Sequence, residues 1–285
     1  MNKIKRKDLF LYIKERFPIF AALFFSLLVL TSINLYIFNK INVNTSFFIC
    51  IALLLLFLFR IRLMDDVKDF KYDVVFHKDR AVQRGVMSIA QLKKLLFIVL
   101  LLEIILQLFL PQFAIYFYLF LIFYSFLMHK DFFSGGFFKN HFFVYILLHQ
   151  IIFAFYIYYY FCIFQNKIVF LGIKDVLFVF FLFLTMYIYE ISRKMNHRYD
   201  DNNKKTDDTY IYKWGRRNVL SLLFLFILIQ IFCLLFIFRS INLFLLMYVA
   251  LLIIGIFYSK INKKESYFIL MIIFSLSTFI SYYFI

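Results

Sequence analysis

Long apolar runs, each followed by a short polar segment, dominate the chain. A hydrocarbon layer of about 30 Å requires roughly 20 apolar residues for each helix that crosses it. By that criterion the pattern predicts nine membrane-spanning helices, at residues 18–38, 46–63, 92–110, 112–128, 141–164, 168–189, 217–238, 241–258 and 266–284. Because Pro111 separates the third and fourth spans, these two helices are expected to form a tight hairpin.

Composition agrees with this interpretation. Hydrophobic residues make up 65% of the 285 residues, and the mean hydropathy is +0.86. No polar segment is long enough to form a separate soluble domain. The three cysteines lie within apolar runs and have no disulfide or metal-binding spacing. We therefore predict an all-α integral membrane protein that forms a single domain over residues 1–285.

The basic residues are distributed unevenly between the two sides of the predicted spans. With a cytoplasmic N-terminus, 28 of the 32 lysines and arginines fall in cytoplasmic segments. This bias follows the positive-inside rule and predicts a multi-pass protein of a bacterial inner membrane with its N-terminus in the cytoplasm. The net charge of +16 is thereby explained by topology and by contact with membrane lipid, so no nucleic-acid partner is expected.

Two of the cytoplasmic segments also carry most of the carboxylates. Residues 60–94 follow the second span, and residues 191–217 follow the sixth. Topology alone would favour lysine at these places, so the acidic residues call for another explanation. Together with Glu190 at the edge of the second segment, they are Asp65, Asp66, Asp69, Asp73, Asp79, Asp200, Asp201, Asp207 and Asp208.

In the first segment, the spacing of the aspartates predicts a metal site. On a continuous helix Asp66, Asp69 and Asp73 project from one face within an arc of about 60°, whereas Lys68 and Lys71 point away. Carboxylates crowded in this way repel one another unless a cation lies between them. Oxygen ligands of this kind suit Mg²⁺, with Mn²⁺ as the second possibility. The alternative is a solvated helix end, but cytoplasmic helix ends are usually basic.

Basic residues near both segments could bind phosphate. Arg80 and Arg84 follow the first aspartates, and guanidinium groups suit phosphate oxygens. They could instead serve only as positive-inside charges. If the sixth helix continues past its span, it carries one mixed acidic and basic face. The alternative is an ordinary polar loop. The face consists of Glu190, Arg193, Lys194, His197 and Asp201.

These motifs resemble those of the UbiA superfamily of intramembrane prenyltransferases. The family's N-D-x-x-D-x-x-x-D motif is similar to the stretch from Asp65 to Asp73, and its R-P-x-x-x-G is similar to "RAVQRG", Arg80 to Gly85. The second motif, after helix 6, resembles residues 190–201, followed by a T-Y-x-x-x-x-G stretch that ends at Gly215. The chain departs from the family pattern in having Asp65 for Asn, Ala81 for Pro, and Glu190 with Arg193-Lys194 in the second motif.

The resemblance implies a fold and a reaction. It implies about nine helices around a central, lipid-accessible cavity, and transfer of an isoprenyl group from an isoprenyl diphosphate to an aromatic or lipid acceptor. Asp66, Asp69 and Asp73 would be the catalytic residues. It implies that Mg²⁺, or Mn²⁺, is held by Asp66, Asp69, Asp73, Glu190, Asp200 and Asp201. It also implies that the diphosphate is bound by Arg80, Arg84, Arg193 and Lys194.

Three alternatives remain at this point. A family relative could use a phosphoribosyl-type donor. A CDP-alcohol phosphotransferase also uses membrane-embedded aspartates, but its D-G-x-x-A-R core is absent. A transporter should carry ionisable residues deep in several spans, and only Glu103 fits that description. Glu103 is accordingly either a functional residue or a neutral, hydrogen-bonded packing residue.

Overall fold

The chain folds into a series of α-helices. The computed structural model describes residues 4–134, 136–195, 205–206, 209–261 and 266–284. A short 3₁₀ turn spans Asp131–Phe133. The helices are α1 Arg6–Arg16, α2 Ile19–Phe38, α3 Thr45–Lys68, α4 Phe70–Phe76, α5 Ile89–Gln107, α6 Gln112–His129, α7 Phe137–Asn140, α8 Phe142–Gln165, α9 Ile173–Arg193, α10 Tyr210–Trp214, α11 Arg216–Phe238, α12 Leu243–Ile261 and α13 Ser266–Ser281.

Every predicted span overlaps a helix, and the hairpin at Pro111 is confirmed. Within the described ranges, six helices are long and apolar enough to cross a membrane: α2, α3, α6, α8, α9 and α11. The chain is therefore an integral, multi-pass membrane protein. The count of nine spans is not confirmed. α5 carries three charged residues, Lys93, Lys94 and Glu103, and α13 has only 16 residues. In α12 the apolar stretch whose side chains are described is limited to Leu243–Ile254.

The contacts divide the chain into two compact units. The first comprises Met1–Leu30, Asn42–Ile152 and Tyr159–Ile168, and the second comprises Thr31–Ile41, Phe153–Tyr158 and Val169–Ile285. The prediction of a single domain over residues 1–285 stays a prediction.

In the first unit, α3 packs against α5 and α6. Part of its apolar core joins α1, the end of α3, the loop between α4 and α5, and α5. This core consists of Tyr12, Leu63, Ala81, Val82, Met87, Leu92, Leu95 and Val99. Because the loop after α4 contributes buried side chains, it is held firmly beside the first aspartate motif.

In the second unit, α9 packs against α11 and α13. A buried polar network adds specific contacts to this packing. Gln230 Nε2 donates to the Thr185 hydroxyl at 2.8 Å, and the Tyr248 hydroxyl donates to the side-chain oxygen Oε1 of Gln230 at 2.8 Å. Hydrogen bonds of this kind satisfy polar groups that would otherwise lie unpaired in an apolar interior.

The sidedness of the membrane helices is testable. We expect reporter fusions after residues 75 and 205 to report the cytoplasm, because the basic residues concentrate in these segments, and a fusion after Lys167 to report the opposite side. Paired cytoplasmic and external reporters at each position would provide the measurement. An external signal after residue 75 would contradict the proposed orientation.

Candidate active site at the first aspartate motif

The first aspartate motif lies where α3 passes into α4. Asp69 separates the two helices, and its backbone (φ −83°, ψ 1°) departs from α-helical geometry. Backbone hydrogen bonds nevertheless continue across the junction, from Asp69 N to Asp65 O at 2.8 Å and from Asp73 N to Asp69 O at 2.9 Å. The predicted uninterrupted helix is therefore wrong. Asp66 and Asp73 are buried, whereas Asp69 is exposed.

Asp66 is bound by three side chains. The Tyr12 hydroxyl donates to Oδ2 at 2.7 Å, Arg16 Nε donates to Oδ2 at 3.2 Å, and Arg16 Nη2 donates to Oδ1. Arg62 Nη2 lies 3.4 Å from the same Oδ1. Both oxygens of Asp66 are thus engaged by cations of the protein, which stabilises its negative charge in a buried position.

The surroundings of Asp66 also shift the pKa values of its partners. Burial, the Asp66 charge and the hydrogen bond to Asp66 together raise the pKa of Tyr12 well above its usual value. Burial alone would lower the pKa of Arg16, but the hydrogen bond and charge of Asp66 outweigh it and raise that pKa. Tyr12 therefore stays a neutral donor and Arg16 a cation at physiological pH.

Asp73 pairs with Arg80, a contact that the sequence analysis did not predict. Arg80 Nη1 donates to Asp73 Oδ2 at 2.5 Å, and the Asp73 side chain is only 3% exposed. The loop that carries Arg80 is fixed by burial of Ala81 and by a hydrogen bond from Val86 N to Ala81 O at 3.0 Å. Gly85 closes this turn at φ +81°, a conformation that favours glycine.

Arg84 reaches a different partner. Its Nη2 donates to both oxygens of Glu15, at 2.7 and 2.9 Å, with side-chain exposures of 46% for Arg84 and 30% for Glu15. Such an exposed ion pair is weak and readily exchanged. The assignment of Arg84 to a diphosphate stays a prediction.

Sequence reasoning missed the contribution of α1. Tyr12, Glu15 and Arg16 follow one another at i, i+3 and i+4, so they share a face of an amphipathic helix. That spacing is a signal that could have marked the face as functional. It could not have named the partners, which lie more than 40 residues away along the chain.

Lys68 lies on the other side of α3, as predicted. Its Nζ is 2.5 Å from Asp131 Oδ1 and 3.4 Å from the Tyr145 hydroxyl. The same Nζ donates to the Met128 carbonyl at 3.4 Å. Lys68 therefore ties the turn after α6 to the end of α3 and takes no part in the Asp66 cluster.

Glu103 does not lie alone in the apolar interior. Arg60 Nε donates to its two oxygens at 3.1 and 2.8 Å, and both side chains are almost fully buried, at 1% and 0% exposure. One turn further along α5, Gln107 accepts a hydrogen bond from Tyr159 at 2.6 Å. Glu103, which supported the transporter interpretation, thus forms an internal ion pair that joins α5 to α3.

The second motif is described only in part. α9 continues past the predicted span as far as Arg193, and Lys194 lies in a turn, so the condition for one helical face that reaches Asp201 is not met. Lys194 Nζ lies 3.2 Å from Glu190 Oε1 and 5.8 Å from the centroid of the Tyr210 ring. The side chain of Arg193 and three further predicted site residues, His197, Asp200 and Asp201, lie outside what the structure describes.

The donor set of the first motif is suited to magnesium. Within the described ranges, no three His, Cys, Asp or Glu side chains are grouped closely enough to hold a metal by themselves. Mg²⁺, however, commonly takes one or two carboxylates and completes its shell with water and substrate phosphates. Asp69 is exposed, and Asp73, one helical turn away, accepts a hydrogen bond from Arg80 at Oδ2, whereas its Oδ1 has no such bond within the described ranges. These two carboxylates therefore fit a Mg²⁺ ion that binds together with a diphosphate.

Comparison with known proteins places the chain in a family. One solved structure, of a digeranylgeranylglyceryl phosphate synthase, is similar with a TM-score of 0.57 over 97% of this chain and 99% of that chain. At 15% sequence identity, this likeness shows the fold alone. No curated protein matches the sequence. The family model described as "UbiA prenyltransferase family" matches residues 17–267, and the chain accordingly belongs to this family and is an intramembrane prenyltransferase.

Proposed function

We propose that the enzyme transfers an isoprenyl group from an allylic diphosphate to an aromatic or lipid acceptor. The observation that carries this proposal is the group formed by Asp69, Asp73 and Arg80 at the end of an apolar helix. A magnesium diphosphate needs carboxylates for the metal and a cation for the phosphate, and this group offers both. The apolar chain of the donor can remain in the membrane while its head group binds here.

We propose Mg²⁺, or Mn²⁺ in its place, as the cofactor, with Asp69 and Asp73 as ligands. The bound ion supplies positive charge that stabilises the departing diphosphate. The remaining ligands suggested by the family resemblance are Asp66, Glu190, Asp200 and Asp201. For Asp66 a different role is developed below, and for the other three the assignment stays a prediction.

Arg80 is proposed to bind the diphosphate. Its Nη1 is held by Asp73, which leaves Nε and Nη2 without a hydrogen bond in the described part of the chain. Cleavage of the allylic C–O bond leaves both bonding electrons on the diphosphate oxygen and creates a carbocation. A guanidinium that is already oriented stabilises the developing charge without having to reorganise. The acceptor then forms a bond to the cationic carbon and loses a proton.

For the second motif we propose a role in the same magnesium-dependent turnover. Lys194 and Arg193 are proposed to contribute positive charge toward the diphosphate. Lys194 lies beside a carboxylate of the same motif, with its Nζ 3.2 Å from Glu190 Oε1.

The reaction is tested by offering the purified protein labelled isoprenyl diphosphates of several chain lengths together with a membrane extract. We expect a labelled lipid product to form, and its formation to stop when EDTA removes the metal. Identification of the product defines both the donor and the acceptor. If no isoprenyl diphosphate is consumed, or if turnover continues in EDTA, the proposed reaction is wrong.

Arg84 provides a second test. If it exchanges Glu15 for a phosphate, Arg84→Ala should weaken diphosphate binding roughly ten- to hundredfold, since a charge-assisted hydrogen bond is lost. Glu15→Ala is the matched control, because it removes the competing carboxylate and should leave binding unchanged or tighter. If Arg84→Ala binds diphosphate with unchanged affinity, Arg84 serves only as a positive charge that sets the membrane topology.

A further inference from the structure

The guanidinium of Arg16 is held by one edge only. Its Nε and Nη2 donate to the two oxygens of Asp66. Nη1 makes no hydrogen bond to any residue that the structure describes, and the side chain retains 12% exposure. A planar guanidinium fixed by a carboxylate at one edge presents its remaining N–H groups in a defined direction, which suits it to bind an oxyanion.

The geometry points to Arg16 as a diphosphate-binding residue, with Asp66 and Tyr12 as the residues that position it. This inference rests on the proposed function. In place of a metal ligand, Asp66 is then the anchor of a protein cation, because both of its oxygens are already bound. Arg16 lies in α1, which precedes the membrane helices and is not part of the aspartate motif.

The charges around Asp66 favour an additional anion. Arg16 Nη2 pairs with Asp66 Oδ1, and Arg62 Nη2 lies 3.4 Å from the same oxygen. Two guanidinium groups beside one carboxylate favour the binding of an oxyanion such as a diphosphate.

Arg80 shows the same arrangement seven residues further along. Asp73 is buried like Asp66, and it holds Arg80 by one nitrogen. Asp66 lies in the last turn of α3 and Asp73 lies in α4, on either side of the break at Asp69. Asp69, the exposed carboxylate, lies between them in sequence. Two tethered guanidinium groups and the exposed Asp69 carboxylate together suit a diphosphate and its metal.

Binding of inorganic pyrophosphate in EDTA separates this role from metal binding. Calorimetry on the full chain in detergent would compare wild type with Arg16→Ala, Arg16→Lys and Lys14→Ala. We expect Arg16→Ala to raise the dissociation constant roughly ten- to hundredfold. Arg16→Lys keeps the charge but loses the planar fork, so its affinity should be intermediate. Lys14→Ala removes one exposed positive charge from the same helix and should bind within about twofold of wild type.

Asp66→Asn tests the positioning role. It should weaken pyrophosphate binding because Arg16 loses its anchor, and combining it with Arg16→Ala should weaken binding no further than Arg16→Ala alone. Additive losses would show that Asp66 acts independently of Arg16 and would overturn its role as an anchor.

Failure of this inference differs from failure of the proposed function. Folded Arg16→Ala that binds pyrophosphate as wild type does would overturn the inference and leave Arg16 as a structural contact of α1. If Arg16→Ala does not fold, Arg16→Lys takes its place, and wild-type affinity in that variant has the same consequence. If wild type itself binds no pyrophosphate and turns over no isoprenyl diphosphate, the proposed function is wrong.

Discussion

We expect Asp73→Asn to lower magnesium-dependent turnover by about a hundred- to a thousandfold, the usual loss when a group that stabilises transition-state charge is removed. Asn keeps the size of the side chain but loses the charge that binds the metal and orients Arg80, whose Nη1 lies 2.5 Å from Asp73. Because Arg80 remains partly solvent-accessible, at 20% exposure, the substitution should leave the protein folded.

Asp69→Asn should have an effect of similar size, through the metal alone. Residues that act as one unit show strongly non-additive losses, so the Asp69→Asn, Asp73→Asn double variant should be scarcely worse than either single variant. Asp79→Asn is the matched control, since Asp79 is an exposed aspartate of the loop after α4. The measurement is consumption of a labelled isoprenyl diphosphate as a function of Mg²⁺ concentration. If Asp69→Asn retains full activity, Asp69 is not a metal ligand.

The helices were predictable because lipid imposes a simple requirement. Every backbone polar group in the hydrocarbon layer must be satisfied within its own segment, so an apolar run of sufficient length forms a helix. Pro111 marked the break between α5 and α6 for an equally local reason, since proline cannot continue a helix. The number of spans was harder to predict, because charged residues within α5 make its membrane character depend on its partners.

The aspartate motif was predicted in part, and the limit is the distance between partners along the chain. Asp73 and Arg80 are seven residues apart, so a local pattern could bring them together. Arg16 and Asp66 are 50 residues apart, and only the packing of α1 against the end of α3 joins them. The break at Asp69 was also missed, since "DDVKDFKYD" contains neither glycine nor proline to indicate it.

The end of α9 shows the same limit. "YEISRKMN" has no helix breaker, so periodicity alone continued the helix toward Asp201, whereas the structure turns at Lys194. The turn is stabilised by contacts from distant residues, including a backbone hydrogen bond from Tyr210 N to Lys194 O at 3.3 Å. Tertiary contacts of this kind override local preference and are not visible in a sequence pattern.

We expect Glu103→Ala to destabilise the protein by about 3–5 kcal/mol, the usual cost of removing one partner of a buried ion pair. Arg60 is 1% exposed, and its Nε donates to both Glu103 oxygens. Arg60 also lies near the Phe57 ring, whose centroid is 5.5 Å from Cζ, and its Nη1 is 3.8 Å from Met64 Sδ. Without Glu103 the guanidinium would lose its carboxylate partner in a buried position between α3 and α5.

Unfolding of the purified protein in mixed micelles would measure this loss. Lys94→Ala, an exposed lysine of the same helix, is the matched control and should change stability by less than about 0.5 kcal/mol. Replacing both partners with apolar residues of similar size, as in Arg60→Met with Glu103→Leu, should recover most of the lost stability, because no buried charge is left unpaired. If this double variant is stable yet inactive, the ion pair contributes to the reaction and not only to the packing of α3 against α5. If Glu103→Ala is as stable as Lys94→Ala, the pair does not hold these two helices together.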